Sequence, residues 1–274
     1  MPLPLPDPLI VIALLALGAC VGFLAGLLGI GGAMLMVPFV TFVLGSQGVG
    51  AGLAVKMAIA TSMSTILFTS VSSLHAHHKR GLVRWDLVRS IAPGIVLGSL
   101  VAGAGVFALL KGGALAVLFA VFVSFSATRM LREKKPAASR GMPGTLGQTG
   151  AGAFIGFVSG LVGAGGAFIS VPYMTSRNVP IHHAVATSAA LGFPIALAST
   201  VGYLIGGRAL LPALPGAVGY LYLPAVLCIA AASVFTAPLG ANAAHRLNTK
   251  QLRRIFAWTL YVLAAYMLYT GLLR

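Results

Sequence analysis

The sequence predicts an all-α polytopic membrane protein. It should contain about eight hydrophobic helical segments in two inverted repeats, each opening with a glycine-broken helix or helical hairpin. Three observations carry this. The chain is 58% hydrophobic and 8% charged, where a soluble domain holds about 25% charged residues. Its apolar stretches reach the roughly 20 residues that a bilayer-spanning helix needs. Finally, one motif occurs twice in register. Gly22-Phe23-Leu24-Ala25-Gly26-Leu27-Leu28-Gly29-Ile30-Gly31-Gly32, followed by Pro38, recurs as Gly156-Phe157-Val158-Ser159-Gly160-Leu161-Val162-Gly163-Ala164-Gly165-Gly166, followed by Pro172. Ala60-Thr61-Ser62 recurs as Ala186-Thr187-Ser188. The repeats are set at residues 1–131 and 148–274, with residues 132–147 as a cytoplasmic linker.

The segments follow in order. Met1-Pro2-Leu3-Pro4-Leu5-Pro6-Asp7-Pro8 lacks the basic residue of a cleaved signal peptide, so the first span is read as uncleaved. Residues 9–45 are too long for one span. They carry Gly29, Gly31 and Gly32 at their centre, each costing a helix about 1 kcal/mol relative to alanine. This predicts helix, unwound turn, and a second helix restarting at Ala33. Residues 53–74, 88–110 and 113–131 read as single spans. Glu133-Lys134-Lys135-Pro136, Arg140 and several glycines mark the linker. Residues 148–176 repeat the broken pattern, with a restart at Ala167. Residues 184–207, 217–243 and 254–273 complete the set. Trp85, Trp258 and Tyr269 fit interfacial anchors.

Each broken segment is either one crossing or a hairpin returning to its own side. One crossing each leaves Lys56, Lys111, Arg177, Arg246, Lys250, Arg253 and Arg254 opposite the other Lys and Arg residues, a weak bias. A hairpin each leaves only Lys56, Lys111, Arg208 and Arg274 of the 18 Lys and Arg residues on the minor side. Cytoplasmic loops are the basic ones, so the hairpin version is favoured. It inverts the halves and puts both termini in the periplasm, a pattern common among transporters.

The net charge of +15 is therefore loop bias facing the bilayer surface, not a nucleic-acid footprint. The only acids are Asp7, Asp86 and Glu133, in or beside loops, so no membrane-buried carboxylate is available for ion coupling. Cys20 and Cys228 lack metal spacing. The histidines, His75, His77, His78, His182, His183 and His245, all fall on the cytoplasmic side of the hairpin topology. His75-Ala76-His77-His78 reads as solvated loop rather than a metal site. No Walker loop, nucleophile elbow or catalytic triad is present. The expectation is a transporter rather than an enzyme, without cofactor or metal, whose partners are a small anion and the lipid bilayer. Glycines four apart, as at Gly94 and Gly98, permit close helix packing and a homodimer.

The breaks are the first candidate site. Unwound backbone at membrane depth persists only where protein or a wet cavity covers it. A helix restarting at Ala33 or Ala167 directs free N–H groups and a positive dipole end toward that cavity, an anion site needing no basic side chain. Gly29, Gly31, Gly32, Gly163, Gly165 and Gly166 are assigned to it. Thr61, Ser62, Thr187 and Ser188 are added as hydroxyl donors, singled out by the repeat; the competing role is a bond to their own backbone one turn back. Lys56 and His182, each four residues before the Ala-Thr-Ser triplet, are set at opposite mouths as gating or proton-relay groups, with Pro38 and Pro172.

The duplicated Gly-Phe-x-x-Gly-x-x-Gly-x-Gly-Gly pattern, the following proline and the Ala-Thr-Ser triplets resemble the sulfite exporter TauE/SafE family, also called the toluenesulfonate uptake permease family. The resemblance spans nearly the whole chain. It implies an inner-membrane transporter of sulfite, sulfoacetate or other organosulfonates, with about eight spans. Carried over by position, Gly29, Gly31, Gly32, Pro38, Thr61 and Ser62 match the first motif, and Gly163, Gly165, Gly166, Pro172, Thr187 and Ser188 the second. Ala33 and Ala167 stand where a third glycine is common. The expected mechanism is alternating access at a midplane site between the repeats. The alternatives are an anion channel, a carboxylate transporter and, more remotely, a histidine-dependent membrane metalloenzyme.

Overall fold

The computed structural model describes residues 7–28, 33–132, 141–210, 212, 214–243 and 249–273. Helices α1 (Pro8–Leu28) and α2 (Ala33–Ser46) flank the first break, and α3 (Ala51–Lys79) follows. α4 (Trp85–Leu109) is one span whose Val101–Val106 stretch is a π-helix. α5 (Gly112–Arg132) ends the first half. The second half comprises α6 (Thr145–Val162), α7 (Ala167–Thr175), α8 (Ile181–Gly207), a two-stranded ribbon β1 (Ala217–Val218) and β2 (Leu221–Tyr222), α9 (Leu223–Ala243) and α10 (Thr249–Leu273). Among the described residues, eight helices are long and apolar enough to cross a membrane; α2 and α7 are the short ones.

One apolar segment departs from expectation. Residues 217–222 form the ribbon rather than the start of a helix, and α9 begins at Leu223. Gly216 (φ 83°) and Gly219 (φ 56°) adopt left-handed conformations that turn the chain, and hydropathy alone does not register a turn in an apolar run.

Helix directions follow from the contacts. Ser64 Oγ lies 3.1 Å from Thr200 Oγ1. At the far end of α3, the Leu82 carbonyl lies 2.8 Å from His183 Nδ1. α3 and α8 are therefore antiparallel. They carry the same triplet, so the two halves are inverted. The inversion extends outward. α1 runs parallel to α9: a β-carbon on Gly18 would strike Ile229, and one on Gly22 would strike Ser233. α4 runs parallel to α6 in the same way, Gly94 facing Thr149 and Gly98 facing Ala153. Such close backbone approach is how helices associate where lipid removes the hydrophobic incentive.

Two faces result. The β face holds the ribbon, the starts of α1, α3, α5 and α9, and the ends of α4, α8 and α10. There Gly112 abuts Gly52, and Gly113 abuts Gly271. The basic face holds Lys79, Arg80, Arg84, Arg89, Arg129, Arg132, Arg177 and Arg254, while Lys56, Lys111 and Arg208 lie toward the β face. Each broken segment leaves by the face it enters. α1 starts, and α2 ends, at the β face. Arg177, just past α7, donates to the Gly141 carbonyl ahead of α6 at 3.4 Å, so α6–α7 enters and leaves by the basic face.

α3 and α8 form the centre, each buried over 67% of its apolar window against 22–39% for the other six spans. The outer helices expose Leu9, Ile12, Leu97, Phe125, Phe154, Phe235 and Val262 around the perimeter, as a lipid-facing surface requires.

Candidate functional site

The first break, with Gly29, Gly31 and Gly32, lies outside the described residues. Ala33 is the first residue of α2 and Pro38 is buried within it. The second break is fully described. α6 stops because Gly163 turns left-handed (φ 72°), its N–H donating to the Ser159 carbonyl at 2.9 Å. Gly166 is left-handed too (φ 75°) and caps α7. Both angles favour glycine. The Gly166 N–H donates to Ala164, and the Gly166 carbonyl accepts from Ile169 and Ser170. Ala167 and Phe168 open the helix, and their N–H groups have no earlier helical carbonyl to reach.

This end of α7 sits at mid-depth between the central helices. A β-carbon on Gly163 would lie 3.0 Å from Ile59 Cγ2, one on Gly165 would lie 3.5 Å from Ile66 Cδ1, and one on Gly166 would meet Ile195 Cδ1. Ile66 and Ile195 lie near the midpoints of α3 and α8. The immediate neighbours are apolar or hydroxyl-bearing. The electrostatics there come from the dipole end of α7, about half a positive charge.

Three buried serines lie on the helices around the break. Ser62 falls between Ile59 and Ile66 on one stripe of α3, at spacings of three and four, so it faces the glycines. It is 0% exposed and its Oγ has no partner among the described residues. Ser159 is likewise 0% exposed and without a partner, and a β-carbon on Gly166 would lie 3.4 Å from its Oγ. Ser199 is fully buried on α8 beside Gly160. A buried hydroxyl left unpaired costs about 1–3 kcal/mol, so Ser62 and Ser159 are expensive residues unless something completes them.

The other assigned residues are placed differently. Ser188 Oγ pairs with Ser170 Oγ of α7 at 2.7 Å. Thr61 Oγ1 accepts from the Tyr222 N–H at 3.0 Å, and Thr187 Oγ1 accepts from the Arg84 N–H at 3.1 Å. Arg84 immediately precedes α4 and Tyr222 immediately precedes α9. These are two equivalent straps, each tying a central helix to the other half. By the antiparallel register the two threonines stand on the order of 20 Å apart, at 1.5 Å per helical residue. Thr61 turns to another side of α3 than the break and Thr187 lies nearer the basic face, so the two do not converge.

Lys56 donates to the Ala108 carbonyl at 2.9 Å and lies 5.4 Å from the Tyr220 ring centroid, on the β-face side. His182 is exposed at the start of α8 on the basic face, and Pro172 is half-buried inside α7. Burial pushes the Tyr220 phenol above its ordinary value. Arg84 pairs with Asp86 at 2.6 Å, and its guanidinium is held further charged by that hydrogen bond.

Sequence reasoning missed Ser159, Ser170 and the ribbon. Ser159 was readable. It occupies the motif position filled by Ala25 in the first copy, so it is a polar departure inside a duplicated apolar pattern.

A family profile described as sulfite exporter TauE/SafE matches residues 14–267. A probable membrane transporter protein of Haemophilus influenzae is 36% identical over 92% of this chain and 96% of its own. A probable membrane transporter protein of Methanocaldococcus jannaschii is 28% identical over 93% and 94%. One of Bacillus subtilis, YunE, is 27% identical over 95% and 98%. No solved structure gives a significant match. With eight apolar spans and a match along nearly its whole length, the chain belongs to the sulfite exporter TauE/SafE family of membrane transporters.

Proposed function

We propose that this protein is a secondary transporter of small sulfur oxyanions, sulfite or an organosulfonate, working by alternating access across the inner membrane. The observation that carries the reading is the N-terminal end of α7. It is buried at mid-depth and framed by hydroxyls. Such an end receives an anion without a basic side chain. The basic face is assigned to the cytoplasm, which puts the β face and both termini in the periplasm.

The two straps act as gates. Thr61 with the Tyr222 backbone closes the path from the β face, and Thr187 with the Arg84 backbone closes it from the basic face. Each is a single hydrogen bond worth about 0.5–1.5 kcal/mol net, weak enough to release thermally yet able to bias which side opens. A ligand shifts that balance only by binding the states unequally. Releasing one strap at a time gives a carrier; releasing both together gives a channel.

Counterflow in proteoliposomes separates these. Preloading with unlabelled sulfite should accelerate entry of labelled sulfite, and entry should saturate. Flux linear in concentration and indifferent to preloading would replace the carrier by the channel. Stimulation by carboxylates alone would move the substrate class.

A further inference from the structure

The two hairpins are not chemically equivalent. At the position of Ser159 the first hairpin has Ala25, and at the position of Ser170 it has Met36, which is 1% exposed. On the second hairpin Ser159 Oγ lies beside Gly166, and Ser62 of α3 shares a helix stripe with Ile59 and Ile66, which pack against Gly163 and Gly165. Both hydroxyls are fully buried and unpaired among the described residues. Two orphaned donors at one helix start are a site waiting for acceptors. The Ala167 and Phe168 N–H groups point the same way by helix geometry.

We infer that Ser159 and Ser62 are the specificity-determining hydroxyls of the transport site, that the substrate docks on the second hairpin alone, and that the site selects singly charged oxyanions over doubly charged ones. This rests on the transporter reading above. The pair of hydroxyls and the pair of N–H groups supply four donors, matched to the oxygens of a sulfonate or hydrogen sulfite. The charge selection follows from what surrounds the break. Ile59, Ile66, Ile155 and Ile195 pack against it, with no Lys, Arg or His among those contacts. Half a positive charge from the helix end offsets much of one negative charge and little of two, and an uncompensated buried charge is costly.

The experiment uses the full-length protein in proteoliposomes, with labelled sulfite as the transported probe. Methanesulfonate serves as a permanent monoanion and sulfate as a permanent dianion competitor. Wild type should take up sulfite better below the second dissociation of sulfurous acid than above it. Methanesulfonate should compete and sulfate should not. Ser159→Ala and Ser62→Ala should each raise the half-saturation concentration about tenfold with the maximal rate little changed, while Ser159→Thr should retain wild-type affinity. Size-exclusion elution and thermal unfolding establish that each variant is folded; if Ser159→Ala is not, Ser62→Ala and Ser159→Cys decide. Ala25→Ser on the first hairpin should leave the half-saturation concentration unchanged. Folded Ser159→Ala and Ser62→Ala proteins with unchanged half-saturation overturn the hydroxyl pair. Competition by sulfate equal to that by methanesulfonate overturns the charge selection. Vesicles of wild type that take up no oxyanion sink the transporter reading itself, and this inference with it.

Discussion

The hairpin that enters from the β face and the one that enters from the basic face share a motif but not a lining. The α2 arm of the first is packed with Met34, Leu35, Met36, Val37 and Val40, all buried. The α7 arm of the second is only nine residues long and brings Ser170 onto Ser188. Duplication supplied one motif twice, and the side chains then diverged. The motif glycines, and the proline after them, recur in both copies. Ser159 and Ser170 do not: their counterparts in the first copy are Ala25 and Met36.

The comparison can be broken most sharply at Gly166. Its left-handed backbone and the Ile195 side chain beside it leave no room for a branched residue. Gly166→Val should cost roughly 2–5 kcal/mol, seen as a large fall in thermal unfolding temperature and lost uptake. Wild-type behaviour would mean that the second turn tolerates what its geometry forbids.

The straps give the next effect. Thr187→Val and Thr61→Val should each weaken closure by about 0.5–1.5 kcal/mol, but on opposite faces. The reporter is Gly165→Cys in a background of Cys20→Ala and Cys228→Ala, labelled by an impermeant thiol reagent added from either side. Thr187→Val should raise labelling from the basic face and Thr61→Val from the β face. Equal changes from both sides would show that the straps are not gates.

The serines should separate next, with opposite signs. Ser188→Ala leaves Ser170 unpaired and should destabilise the protein by about 1 kcal/mol. Ser62→Ala removes an unsatisfied hydroxyl and should be neutral or slightly stabilising. Calorimetry on the purified variants reads both; equal losses would mean that Ser62 has a partner after all.

The smallest effect is expected at Lys56. Lys56→Ala forfeits a carbonyl contact and a cation–π contact worth about 0.5–1 kcal/mol. Sulfite uptake should persist at near wild-type rate. A collapse of uptake would restore Lys56 to the transport path.

Much of this was readable beforehand. Hydropathy located the spans, and the glycines placed the second break, with the restart at Ala167. The distribution of Lys and Arg favoured returning hairpins over crossings, because charge bias reports parity. What was not readable has a common physical cause. Repeat symmetry drew Thr61 and Thr187 toward one site, but an inverted repeat sends equivalent residues to opposite depths unless they lie near the symmetry centre. The straps themselves depend on backbone N–H groups, which leave no trace in residue identity. The ribbon at residues 217–222 hid in an apolar run because hydropathy does not register the turns at Gly216 and Gly219.

The pairing of α1 with α9 has a consequence for biogenesis. α1 is made first, yet its main partner is the last helix but one to leave the ribosome. Until then its Gly18 and Gly22 face has only lipid to meet. α4 waits a shorter time, since α6 follows soon after. The halves are thus exchanged, each opening helix completing the other half, and neither is a finished unit when synthesised. A chain terminated before α9 would leave α1 unmatched in the bilayer and exposed to quality-control proteolysis, however well α3, α4 and α5 had inserted.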